Sequence, residues 1–266
     1  VSEREDRLVY RVPFEGELPA VTPLPSVDHW PLETSESVFL EPGDNFQPVV
    51  VNGRVWVYNN DRSRSLISPE APPLPAWVSS DGYKWIKIDD PIPRPERDSY
   101  SLASFGGGML LLGGAYLESL YRGLSDVWFS GDGFEWNLVS NQINTGPISS
   151  ARLSVWQNTL YLLGGFDQEK RIWHEGIWAS LDGENWILET SSVEDNFSGY
   201  YDLVATDNYL VVFLLTNGLI RSADGQNWEH ISAFTEEGES QGNPPNRWDF
   251  QAVWFHDQLV VLGGMH

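Results

Sequence analysis

"WVSSDGYKW" (77–85), "WFSGDGFEW" (128–136), "WASLDGENW" (178–186) and "IRSADGQNW" (220–228) spell one pattern, S-x-D-G-x-x-W, usually led by a second Trp. Asp-Gly is a strong hairpin signal, because a tight turn needs positive φ, which Gly gives freely and Asp tolerates. The Asp carboxylate can also accept nearby backbone N–H groups and lock the turn. The Ser of the pattern stands at 79, 130, 180 and 222, spacings of 51, 50 and 42 residues, so the hairpin marks a repeat and not a single site. An Asp recurring on successive hairpins cannot converge on one substrate. The pattern therefore reads as construction, with the Trp side chains filling the gaps between neighbouring units.

A second pattern runs in phase with the first. "LLLGG" (110–114), "YLLGG" (161–165) and "VVLGG" (260–264) are apolar strands ending in Gly-Gly, while "VWVYNN" (55–60) and "LVVFLL" (210–215) hold the same place without the glycines. Upstream of each lies a further strand segment: "GDNFQPVV" from 43, "RDSYSLAS" from 97, "ISSARLSV" from 148, "SGYYDLVA" from 198 and "RWDFQAVW" from 247. One unit is thus strand a (these segments), strand b (ending at the Gly-Gly position), strand c (ending at Ser) and strand d (starting near the last Trp). Four antiparallel strands repeated in this way predict an all-β propeller.

The chain stops at "VVLGGMH", after strands a and b only, and opens with "RLVYRV" (7–12) and "SVDHWPLE" (26–33). The expectation is one domain over 1–266, a five-bladed propeller. Its blades would cover 37–90, 97–140, 148–190 and 198–232, and the fifth would join 247–266 to 7–33 so that no edge strand is left at the seam. A piece cut from a longer propeller is the competing account.

These residues resemble the kelch-like propellers, through Gly113-Gly114, Gly164-Gly165 and Gly263-Gly264 closing strand b and Trp128 and Trp178 on the next strand, over nearly the whole chain. The D-G turns also look like the Asp-box of sialidases, with Asp-to-Trp one residue shorter. The resemblance implies that the d–a and b–c loops surround one face, where recognition platforms and sugar epimerases of this kind carry their sites.

Composition narrows the partners. Net charge is -22, with 16 Lys and Arg against 38 Asp and Glu. Such a surface repels phosphate backbones and anionic lipid, so nucleic-acid binding is excluded as a main function. No run of 18 apolar residues argues for membrane insertion. Cys is absent, so no disulfide framework exists. The five His are scattered without metal-ligand spacing, and "FGGGM" (105–109) has no helix to make it a phosphate loop; no metal and no cofactor are expected. The start at Val1 suggests that an upstream segment was removed, a signal peptide or otherwise; the expected location is secreted, periplasmic or extracellular.

Candidate site residues follow from the strand-a alignment. Its fifth column is polar in every unit (Gln47, Ser101, Arg152, Asp202, Gln251), and so is its third (Asn45, Ser99, Ser150, Tyr200, Asp249). On the innermost strand these would ring the axis and either satisfy one another, Arg152 pairing with Asp202, or hold a small polar ligand with Arg247 and Asp249. Arg97, Arg152 and Arg247 invite comparison with the three arginines of sialidases, though Arg152 lies in a different column. In the b–c loops "AYLESLYRG" (115–123) and "FDQEKRIWHEG" (166–176), Tyr116 and Trp173 could stack on a sugar face or simply pack on their own blade. The leading expectation is a non-enzymatic module that binds a protein or glycan. The alternative is a carbohydrate-active enzyme, a glycoside hydrolase, a sialidase-like enzyme or a sugar epimerase, with its site at the channel mouth.

Overall fold

The computed structural model describes residues 46–60, 75–82, 84–89, 91–93, 97–116, 122–191, 201–214, 218–231, 248–255 and 258–265. Contacts divide the chain into two compact units, residues 33–199 and residues 200–266 with 1–32. Every element among the described residues is a β-strand.

The first unit holds three four-stranded antiparallel sheets of the blade kind. Phe46–Val51 (β1), Arg54–Asn59 (β2), Ala76–Ser79 (β3) and Ile86–Ile88 (β4) pair in chain order. In the second blade, Arg97–Asp98 (β5) precedes Ser101–Phe105 (β6) and Gly108–Leu112 (β7). The ribbon Ala115–Tyr116 (β8) and Arg122–Gly123 (β9) comes next, then Val127–Ser130 (β10) and Asn137–Ser140 (β11). The sheet order β6-β7-β10-β11 keeps the meander, while β5, β8 and β9 form a small three-stranded sheet of their own. The third blade repeats this with Arg152–Trp156 (β12), Thr159–Leu163 (β13), the ribbon Phe166–Asp167 (β14) and Ile172–Trp173 (β15), then Ile177–Ser180 (β16) and Ile187–Thr190 (β17).

The second unit holds one such blade, Tyr201–Ala205 (β18), Leu210–Leu214 (β19), Gly218–Ser222 (β20) and Glu229–Ile231 (β21). A two-stranded hairpin follows, Trp248–Phe255 (β22) and Gln258–Met265 (β23). Four blades are therefore complete among the described residues, not five. The stretches 7–12 and 26–33, expected to complete the last one, lie outside the described residues. Gly263 and Gly264 also depart from expectation: they sit inside β23 and do not end it.

Strand b explains its own composition. Met109 and Leu111 point into a core shared with the first blade (Val49, Val51, Trp56, Tyr58, Ala76, Val78). Leu110 and Leu112, one residue out of phase, join the core shared with the third blade (Ile148, Ala151, Leu160, Leu162, Trp186). A strand buried on both faces has no reason to alternate with polar residues, hence the unbroken apolar runs. In the second unit Val204, Val211, Phe213 and Leu219 form the equivalent core, with Ala252 and Trp254 of β22 packed against it.

The S-x-D-G turn is built the same way in all four blades. In the third, Ser180 Oγ donates to Asp182 Oδ1 at 3.1 Å and accepts the Gly183 N–H at 2.8 Å. Asp182 Oδ1 accepts the N–H groups of Glu184 and Asn185 at 2.9 and 2.8 Å. These bonds, with that from the Asn185 side chain foremost, hold the Asp182 carboxyl down at a pKa of about 2. The glycines have a second duty. Gly133 and Gly183 take φ of +87° and +79°, and a Cβ on Gly133 would overlap the indole of Trp56 and the Met109 methyl group. One on Gly183 would meet Leu110. The hairpins of the second and third blades thus each plug into the blade before.

The second Trp of the motif does more than fill space. Trp186 is buried and its indole N–H bonds Gly183 O at 2.9 Å, closing its own turn. Trp136 reaches back instead, donating to Pro91 O at 2.8 Å in the preceding linker.

Candidate functional site

The fifth-column residues turn out to be fasteners. Gln47 Nε2 donates to Tyr100 O at 2.9 Å, and Ser101 Oγ donates to Ala151 O at 2.7 Å. In the second unit Asp202 accepts the N–H groups of Leu203 at 2.9 Å and Ala252 at 2.5 Å. Apart from the local bond to Leu203, each runs to the backbone of the following strand-a segment. Burial of a polar side chain is tolerable when it is paired in this way. Arg152 and Gln251 lie at the same strand position and are half-buried.

In the second and third blades the third-column residues lie just before the strand and not within it. Ser99 and Ser150 take φ of +55° and +60°, and the Ser150 N–H bonds Ser99 O at 2.7 Å. Left-handed backbone outside glycine costs about 1–2 kcal/mol and is least unfavourable for small polar residues, which accounts for the polar column. Ser99 Oγ donates to Asp98 Oδ1 at 2.8 Å, and Asp98 is buried. Asp249 belongs to β22. Asn45, Tyr200 and Arg247 lie outside the described residues.

Arg97 points into its blade. The side chain is fully buried, and its guanidinium forks onto Asp126 at 2.6 and 2.9 Å while also reaching Gly113 O at 3.1 Å. Asp126 Oδ2 further accepts the indole N–H of Trp128 at 2.7 Å. The arrangement joins the upper ends of strands a, b and c. In the third blade the equivalent positions are Ile148 and Gly176, so the ionic pair is replaced as a pair. Comparing blades position by position exposes this coupling; a single-column comparison of arginines does not.

The b–c ribbons are short strand pairs inserted between strands b and c. In the second blade Arg97 pairs with Tyr116 and Asp98 with Ala115; in the third Ser149 bridges Phe166, the same relation one blade on. Within β14–β15, Phe166 faces Trp173 and Asp167 faces Ile172. Trp173 leans on Phe166 with centroids 5.1 Å apart and planes at 55°. Even so it is 41% exposed, and Ile172 is 48% exposed.

What holds the ribbon lies on its other face. Asp167 is buried and accepts the N–H groups of Glu169 and Lys170, both at 2.9 Å, while Lys170 Nζ approaches its Oδ2 at 3.0 Å. Burial works to raise its pKa, but those bonds and the Lys170 charge keep it below the usual carboxylate value. Gln168 donates to Ser149 Oγ at 3.3 Å, tying the turn to the strand-a entry. His174 is half-buried, with its backbone N–H on Gly165 O at 2.8 Å and no hydrogen bond at Nε2. Burial lowers its pKa, against the pull of the Asp167 carboxylate, so the ring is neutral at pH 7. Asp98, Asp126, Asp167 and His174 escaped the sequence reading, because only pairing across the ribbon singles them out.

No family of known proteins matches the sequence, and no curated protein is similar to it. By three-dimensional arrangement, 294 solved chains match, so the fold is a widely shared one. One of them, titled "Structure of YjhT", superposes with a TM-score of 0.63 over 85% of this chain and 73% of that chain, at 14% identity. The likeness is one of fold alone. It agrees with the propeller-like build of four-stranded antiparallel blades described above. No helix among the described residues is long and apolar enough to cross a membrane.

Proposed function

We propose that the chain is a non-enzymatic binding module that takes a glycan or protein ligand on its b–c ribbon face. The observation that carries this reading is the Trp173–Ile172 edge. Both side chains are exposed, the indole on the face it shares with Phe166 and Ile172 on the face it shares with Asp167, whose bonds to the turn fix the ribbon. Exposed aromatic rings on rigid supports are favoured contact residues, since they lose little conformational freedom on binding. The charged neighbours Glu169, Lys170, Arg171 and Glu175 supply a polar rim.

The test is a glycan array alongside affinity capture, run on the native chain, Trp173→Ala and Ile172→Ser. Stacking on a sugar needs the indole alone, so Trp173→Ala abolishes binding and Ile172→Ser spares it. A protein contact loses strength with both. Binding unchanged in Trp173→Ala removes the ribbon from the site.

A second reading, a carbohydrate-active enzyme at the strand-a mouth, draws support from the left-handed Ser99 and Ser150 beside the buried Asp98 carboxylate. Turnover of chromogenic glycosides, lost in Asp98→Asn, would favour it. Kinship with kelch-like propellers is part of the proposal, supported by Gly113-Gly114 and Gly164-Gly165 at the ends of strand b. So is a fifth blade completed by residues 7–33, supported by β22–β23 having two strands where each other blade has four.

A further inference from the structure

The repeat is broken most clearly in the first blade, where Asn59-Asn60 stands in the place of Gly113-Gly114 and Gly164-Gly165. The backbone differs accordingly. β2 continues through Asn59, whereas strand b ends at Leu112 and Leu163 in the next two blades and turns through left-handed glycines.

Asn60 is buried, and its Nδ2 donates to Tyr100 O at 3.0 Å. Gln47 Nε2 donates to the same oxygen at 2.9 Å. One carbonyl has two lone pairs, so Tyr100 O is saturated by these two amides. Their orientation follows from chemistry: flipping either amide would set oxygen against oxygen.

The consequence is that both amide oxygens, Gln47 Oε1 and Asn60 Oδ1, are turned away from Tyr100, shut from solvent, and accept no hydrogen bond among the described residues. A buried unpaired acceptor is costly, and here there are two, on side chains that bond the same carbonyl oxygen, one of them at a position where the next two blades carry glycine. Fastening the blades needs only one donor, as Ser101 shows with Ala151 O. Two acceptors call for a partner that gives to both, which a cation does and which a water does by spending both its protons.

We propose that Gln47 Oε1 and Asn60 Oδ1 are ligands of a site for a small oxygen-coordinated cation of the sodium or potassium class. Amide and backbone carbonyl oxygens are the hard neutral ligands that such ions take in place of water. Neither ligand is a carboxylate, which favours a monovalent over a divalent ion. The chain's net charge of -22 raises the local concentration of any cation. The closed surroundings of both oxygens select an ion that has shed its hydration shell.

Thermal melting of the full chain in sodium, potassium and choline chloride at matched ionic strength tests this. Choline is too large to enter and supplies the same screening. The native protein should melt a few degrees higher in sodium or potassium chloride than in choline chloride. Asn60→Gly, which installs the residue of the other blades, should lose that difference while melting in choline chloride at or above the native value. Gln47→Met should lose it too. Equal melting of the native protein in all three salts overturns the proposal, as does a difference that survives in both variants. Stabilisation by millimolar Ca²⁺ alone overturns the monovalent assignment. Glycan or protein binding through Trp173 is measured separately, so the two readings fail independently.

Discussion

At the scale of single residues, the hairpin glycines divide into two kinds that the sequence does not distinguish. Gly82 and Gly133 have similar φ, +75° and +87°, but nothing lies within 4 Å of a Cβ built on Gly82, whereas one on Gly133 overlaps Trp56. Gly82→Ala should therefore cost only the left-handed backbone penalty, about 1–2 kcal/mol. Gly133→Ala should cost that and a further overpacking penalty of about 1–3 kcal/mol. Urea midpoints of the two variants measure the difference, and equal midpoints would remove the plug from the account of blade packing.

His174 makes a residue-scale prediction of another kind. Its folded pKa lies below the unfolded value of about 6.5, so the unfolded chain takes up the proton first. The stability linked to this group is intact above about pH 6.5 and is lost as pH falls toward the folded pKa. Replacing His174 by Gln should flatten the stability profile between about pH 7 and 5 relative to the native chain. Identical profiles would show that the half-buried ring is not titrating against the fold.

At the scale of elements, each blade is closed at its upper end by its own device. The second uses Arg97, Asp126 and Trp128; the third carries Ile148 and Gly176 at the positions of Arg97 and Asp126. Asp126→Asn leaves a buried guanidinium uncompensated and should cost about 3 kcal/mol, as for one partner of a buried pair. Arg97→Ile combined with Asp126→Gly transplants the third blade's solution and should recover much of the loss, which a double-mutant cycle reads directly. An additive double variant would deny that the two form a unit. The same scale separates the two tryptophans of interest. Trp128 packs against the core between the first two blades, so Trp128→Ala should destabilise by about 3 kcal/mol more than Trp173→Ala, whose ring is exposed.

On the scale of the whole molecule, removal of residues 1–33 should lower the melting temperature sharply if they complete the last blade, since β22–β23 would keep an open edge. An unchanged melting temperature would leave the chain with four blades and a hairpin. How much of this could be read in advance follows the physics of repetition. Strand order, hairpin positions and the all-apolar strand b were legible, because the same local requirement recurs and leaves the same letters in each blade. The site was less legible. Gln47, Ser101 and Asp202 looked like a ring of ligand groups, but a polar side chain bonding a neighbouring backbone spells the same as one awaiting a ligand. Asp126, Asp167 and His174 act through pairings across a ribbon or between strand ends, which no single column of an alignment contains.

Those fastening bonds bear on kinship as well. Gln47, Ser101 and Asp202 all address main-chain groups of the following strand, and every residue type offers a carbonyl, almost every one an amide. A seam written in main-chain atoms places little demand on the letters across from it, so lineages can drift far apart while their blades still mesh. Such a seam is compatible with a fold shared at a TM-score of 0.63 where only 14% of residues agree.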